Sequence, residues 1–117
     1  RGKCMELMMD SIVPGNRGQA DQAFMVGVLS LLDALFGVPL PELLKELNLA
    51  DPVRAALLDG EGVLGRLLGI ARSFERNEFN GVAAQLQEFP QLPLSHFNQM
   101  QLQALGWASE VSASNGE

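Results

Sequence analysis

The segment that decides the fold class is AFMVGVLSLLDALF, residues 23–36, in which Ser30 and Asp33 are the two polar side chains. A helix that is apolar around nearly its whole circumference either crosses a membrane or lies inside a helical core. A membrane span needs about 20 apolar residues. This run is shorter and contains a carboxylate, so the pattern predicts a central core helix over residues 21–36.

The apolar residues outside this segment recur three and four positions apart, which is the periodicity of amphipathic helices. Glycine and proline separate these runs, and Gly37 supplies a stop for the central helix. The composition is globular, with 47% hydrophobic and 19% charged residues. We therefore predict an all-α domain, a compact bundle of about seven short helices, over residues 1–111. A polar tail follows at 112–117.

The charge and the cysteine count exclude several classes of protein. The 117 residues include 14 acidic and 8 basic side chains, a net charge of −6, which disfavours nucleic acid as a partner. One cysteine and one histidine cannot form a zinc cage or a disulfide framework. No signal-peptide pattern is visible, so we expect a cytoplasmic protein without membrane contact, in which this chain is part of a longer polypeptide.

Two glycine patterns have a structural interpretation. Residues 60–65 spell G-x-G-x-x-G, but the preceding segment has a helical pattern rather than that of a strand, so a turn between helices is predicted instead of a dinucleotide site. Gly65 and Gly69 lie four positions apart. This spacing marks dimer interfaces between helices in lipid, but in a soluble core it allows close helix packing, which we predict here.

His96 and Cys4 have no neighbour in the sequence at a spacing suited to catalysis. The sequence therefore shows no set of residues that would form a catalytic site.

Ser30 and Asp33 are the candidate buried polar anchors. A buried carboxylate needs a partner, so we expect Asp33 to meet a helix N-terminus or an arginine. The arginines considered are Arg54, Arg66 and Arg72. The alternative is that Asp33 anchors a ligand or acts as an acid.

Four segments then carry a resemblance to a known family. They are AFMVGVLSLLDAL (23–35), PVRAALL (52–58), EGVLGRLL (61–68) and FER (74–76). In this order they resemble the C-terminal part of the HDOD domain, the HD-related output domain of bacterial signalling proteins. The variant with Leu-Ser-Leu-Leu-Asp is most similar to proteins that join an EAL domain, the cyclic-di-GMP phosphodiesterase module, to an HDOD domain.

The resemblance also implies what this chain has lost. HD phosphohydrolases carry Leu-His-Asp in this helix, and the chain has Ser30 and Leu31 at the positions of the metal-binding pair. It therefore implies no metal, no cofactor and a non-catalytic regulatory or protein-interaction role in cyclic-di-GMP signal transduction. Two alternatives stay open. One is a degenerate HD-type phosphohydrolase; the other is a small-molecule or nucleotide sensor with a pocket around Ser30 and Asp33.

The expected partners are the upstream domains of the same polypeptide or another signalling protein. The first helix carries the apolar stripe Met5, Met8, Met9 and Ile12. The resemblance implies further helices upstream, so this stripe is the candidate interface for them or for a homo-oligomer. The alternative is that the stripe folds back onto the core of this chain.

Overall fold

Eight α-helices make up the part of the chain that the computed structural model describes, which is the backbone of residues 1–115 with side chains through Val111. They are α1 (Gly2–Ile12), α2 (Arg17–Leu29), α3 (Leu32–Phe36), α4 (Leu40–Leu44), α5 (Asp51–Asp59), α6 (Gly62–Glu75), α7 (Phe79–Leu86) and α8 (Leu94–Asn115). The predicted all-α fold is confirmed. The polar tail predicted from residue 112 is helical as far as Asn115, and residues 116 and 117 lie outside the described part.

The prediction of one helix over residues 21–36 is wrong, because the segment forms two helices. The Ser30 hydroxyl donates a hydrogen bond to the Gly27 carbonyl oxygen at 2.7 Å, and such a bond competes with continued helix. The Leu31 amide then bonds to the Val28 carbonyl, three residues back, at 3.2 Å. The helix also begins earlier than predicted, since the Asn16 side chain accepts a hydrogen bond from the Gln19 amide at 3.1 Å and caps α2.

Two helices, α1 and α6, occupy the interior of the bundle. Helix α1 packs against α2, α6 and α8, and α6 packs against α1, α2, α5 and α7. Helix α2, by contrast, leaves Met25 and Val28 exposed. The segment predicted to be central therefore has only one buried face.

The stripe on α1 is buried within this chain, so the candidate interface of Met5, Met8, Met9 and Ile12 is wrong. Met5 and Met8 are fully buried, Met9 is 3% exposed, and Ile12 is half-buried against the same core. The alternative, that the stripe folds back onto the chain's own core, is confirmed. The physical reason is that α6 and α8, as well as α2, pack against α1.

Glycines allow two close approaches of backbone. Where α1 meets α2, a Cβ on Gly27 would lie 2.8 Å from the Gly2 backbone nitrogen, so only glycine fits. Between α5 and α6, Gly60 adopts the left-handed conformation with φ 67° and ends α5. A Cβ on Gly65 would clash with the Gly60 backbone. The predicted turn between helices is confirmed, but it is confined to Gly60 and Glu61, because α6 begins at Gly62. The predicted close approach of backbone is found at Gly65 and not at Gly69, where a Cβ would make an ordinary contact 3.5 Å from Gln85 Nε2.

Crossing a membrane requires a helix that is both long and strongly hydrophobic. None of the helices that the structure describes combines the length and the hydrophobicity that crossing a bilayer requires, α8 with its 22 residues included.

Candidate functional site

A small polar cluster surrounds Ser30, where α2 ends. Ser30 is 3% exposed, and its hydroxyl accepts a hydrogen bond from Arg1 Nη1 at 2.9 Å while it donates to Gly27. Arg1 Nε also donates to Glu75 Oε2 at 2.7 Å. The cluster of Arg1, Ser30 and Glu75 thus joins α1, α2 and α6. The prediction that Ser30 is a buried polar anchor is confirmed, and its partners are an arginine and a backbone carbonyl.

The prediction that Asp33 is buried is wrong. Asp33 is exposed in the first turn of α3, and its Oδ1 accepts a hydrogen bond from the Ala34 amide at 2.8 Å. Because α2 ends at Leu29 and α3 begins only at Leu32, a helical extrapolation from residue 23 places this carboxylate on the wrong face. The expected helix N-terminal partner is present, but it is the N-terminus of Asp33's own short helix.

Asp33→Ala should therefore have a small effect on stability. We expect the free energy of unfolding to fall by less than about 1 kcal/mol, the contribution of a carboxylate at an exposed helix N-terminus. Urea denaturation of the two proteins measures this difference. A loss of roughly 3–5 kcal/mol, typical of breaking a buried ion pair, would contradict the exposed position.

The positions that the resemblance assigns to the metal-binding pair offer little chemistry. Leu31 has no ligand atom in its side chain, and the Ser30 hydroxyl already has a donor and an acceptor partner. Across the described residues, no group of three or more His, Cys, Asp or Glu side chains is placed to hold a metal ion.

The other candidate reactive residues lie apart from this cluster. His96 is exposed on α8 and lines a recess with Asp10 and Ser11, but no hydrogen bond links these three side chains in the described structure. Cys4 is buried in α1, and burial raises the pKa of its thiol, against the opposing effect of a hydrogen bond from Gln101. A thiol with a raised pKa stays protonated at neutral pH and is a poor nucleophile.

Exposed apolar side chains form a second candidate site, which the sequence analysis did not find. Leu102 and Leu105 are 70% and 68% exposed on α8, and we call them the outer face of α8. They border a groove of about 470 Å³ between α8 and α6, whose α6 wall includes Phe74 and whose rim holds Arg1 and Glu75 of the Ser30 cluster. The sequence did contain a signal for this site. Leu102 and Leu105 lie three positions apart and outside the apolar stripe that contains Phe97 and Met100, which indicates a second apolar face on α8.

The comparisons with known proteins give one informative similarity. The chain resembles the cyclic di-GMP phosphodiesterase CdgJ of Vibrio cholerae serotype O1, with 33% identity over 96 residues. That alignment covers 82% of this chain but 22% of CdgJ, so the chain spans about a fifth of the relative's length. No family model and no solved structure matches the chain.

Proposed function

We propose that this chain is a non-catalytic regulatory domain of a cyclic-di-GMP signalling protein, of the HDOD type. It acts by contact with the rest of its own polypeptide or with another signalling protein. The similarity to CdgJ carries this proposal, because it extends over most of this chain and over a small part of a phosphodiesterase. A domain that accounts for 22% of such a protein leaves ample length for a separate catalytic domain.

The chemistry of the Ser30 cluster supports a role without catalysis. Hydrolytic metal sites need several imidazole or carboxylate ligands on one ion. The Ser30 hydroxyl is engaged by Arg1 and Gly27, and the neighbouring Leu31 offers no ligand. The cluster therefore serves to hold three helices together, because Arg1, at the start of α1, contacts both Ser30 at the end of α2 and Glu75 at the end of α6.

The outer face of α8 supports a role in contact. Large exposed apolar side chains beside a groove are typical of surfaces that bind other proteins or domains. The groove is apolar along Phe74, Leu102 and Leu105, and the Arg1–Glu75 ion pair at its rim offers polar contacts to a partner. Contact at this groove would reach the Ser30 cluster directly.

The test uses the full natural polypeptide that carries this chain, and the isolated chain beside it. Leu102→Glu should change cyclic-di-GMP turnover by the full polypeptide at least about fivefold, the lower range of coupling between sites. The isolated chain should show no turnover with Mg²⁺ or Mn²⁺, with CdgJ as the positive control. Product formation is measured by chromatography.

Gln103→Glu is the matched control, because it adds the same charge at the adjacent exposed position of α8. It should leave turnover within about twofold of the wild type, since an exposed charge acts weakly at physiological salt. Metal-dependent turnover by the isolated chain that scales with its concentration would contradict the proposal and favour a degenerate phosphohydrolase. Equal effects of Leu102→Glu and Gln103→Glu would contradict the contact surface.

A further inference from the structure

The outer face of α8 belongs to a helix surface that has almost no charge. Between residues 94 and 111, Glu110 is the one Asp, Glu, Lys or Arg side chain, although the whole chain has 14 acidic and 8 basic residues. Leu102 and Leu105 remain largely exposed on this surface. Large apolar side chains and a low content of charge are typical of the centre of a protein–protein interface.

Two small residues adjoin the two leucines on the same side of α8. At 3.6 residues per turn, four exposed residues share an arc of about 100°: Leu102, Leu105, Gly106 and Ser109. A Cβ on Gly106 would meet no other group of the described residues within 4 Å. Their spacing of three, four and seven positions is that of the four residues that form a hole for a side chain of a facing helix. We call these four residues the α8 hole.

A leucine of the same face fits the α8 hole when two α8 helices pair in opposite directions. If the twofold axis passes between residues 103 and 104, Leu102 of one copy lies at the level of Leu105 of the other. Leu102 then enters the α8 hole of the other copy beside Gly106, and the symmetry makes the same contact twice. We propose that the outer face of α8 binds the same face of a second copy of this chain.

Electrostatics favour this face as the place where two copies meet. A chain with a net charge of −6 repels a second copy wherever acidic side chains are brought together. In the antiparallel pair the two Glu110 residues lie on opposite sides of the twofold axis, roughly 20 Å apart along the helices. This separation exceeds the Debye length of about 8 Å at physiological salt, so their repulsion is largely screened.

The size of the surface sets the expected strength of the pair. Residues 94–111 span about 27 Å of helix, and a helix with its side chains is roughly 10–12 Å wide, so two such strips cover on the order of 600 Å². Stable interfaces bury more than about 1,200 Å², and smaller ones belong to transient contacts. We therefore expect a dissociation constant of roughly 10–100 μM.

This inference rests on the proposed function, in which the outer face of α8 is a contact surface, and it names the partner. Sedimentation equilibrium of the 117-residue chain at about 1–300 μM and physiological salt should show a monomer that becomes a dimer. Leu102→Glu should stay monomeric at every concentration, because its carboxylate would be buried in the other copy. Gln103→Glu adds the same charge outside the arc and should change the dissociation constant by less than about threefold. A wild-type chain that is monomeric at about 300 μM would overturn the proposal.

Gly106→Leu separates this geometry from non-specific adhesion. The new side chain lies in open space, and thermal melts check that the variant folds. It adds exposed apolar area, so it should strengthen any association that depends on apolar area alone. In the proposed pair it fills the α8 hole and excludes Leu102 of the other copy, so the dissociation constant should rise at least about tenfold. An unchanged or lower dissociation constant would overturn the antiparallel pairing.

Turnover by the full natural polypeptide distinguishes a failure of this inference from a failure of the proposed function. If the wild-type chain stays monomeric while Leu102→Glu still changes turnover, the face binds another domain or protein; the proposed function then stands and the pairing is wrong. If the chain forms dimers that Leu102→Glu and Gly106→Leu weaken while turnover is unchanged, the pairing stands and the regulatory role is wrong.

Discussion

Met8→Glu is expected to abolish the cooperative thermal unfolding of this chain. Met8 is fully buried in α1, which packs against α2, α6 and α8. A carboxylate there must be buried without a partner or be protonated, and protonating a glutamate at pH 7, against its ordinary pKa of about 4.3, costs roughly 4 kcal/mol. The lost packing of the methionine adds to this. Domains of this size are stable by about 5–15 kcal/mol, so one such change removes most of the stability.

Circular dichroism during heating measures the transition, and two controls isolate its cause. Met8→Leu conserves volume and polarity and should lower the free energy of unfolding by less than about 1.5 kcal/mol. Leu102→Glu introduces the same charge at a side chain that is 70% exposed and should melt like the wild type. A Met8→Glu protein with the wild-type melting temperature would mean that the α1 stripe faces solvent.

The α1 stripe also shows how far sequence reasoning reaches. Spacing alone predicted the helix and its apolar face correctly, since the periodicity is a local property. The partner of that face is a long-range property: whether Met5 and Met8 meet this chain or another depends on where α6 and α8 return. The spacing of apolar residues in α1 does not indicate where α6 and α8 lie in the fold, and the predicted interface was wrong for this reason.

The prediction for residues 23–36 was wrong for a different reason. The composition of this segment suits a single buried helix, and hydrophobicity gives no reason to stop at Leu29. The helix nevertheless ends at Leu29, and at its C-cap the Ser30 hydroxyl donates to the Gly27 carbonyl, a bond that competes with continued helix. Asp33 then lies outside, and Leu35 and Phe36 are exposed with it. The end of α2 at Leu29, which a periodicity argument does not detect, leaves Asp33, Leu35 and Phe36 exposed instead of buried.

Gly65→Ala and Gly69→Ala should change stability in opposite directions, although the two glycines look equivalent in the sequence. Both lie in α6, where alanine is favoured over glycine by about 1 kcal/mol. At residue 69 the new Cβ makes an ordinary contact, 3.5 Å from Gln85 Nε2, so Gly69→Ala should gain about 0.5–1 kcal/mol.

At residue 65 the new Cβ meets the backbone of Gly60, which cannot move aside as a flexible side chain can. Gly60 holds the left-handed conformation that ends α5, so the turn would have to open or α6 would have to shift. Overpacking of this kind costs roughly 1–3 kcal/mol, and we expect Gly65→Ala to lose about 1–2 kcal/mol after the helix gain of about 1 kcal/mol is subtracted. Parallel urea titrations give both values; a loss of stability in Gly69→Ala, or a gain in Gly65→Ala, would show that the α5–α6 turn does not pack on residue 65.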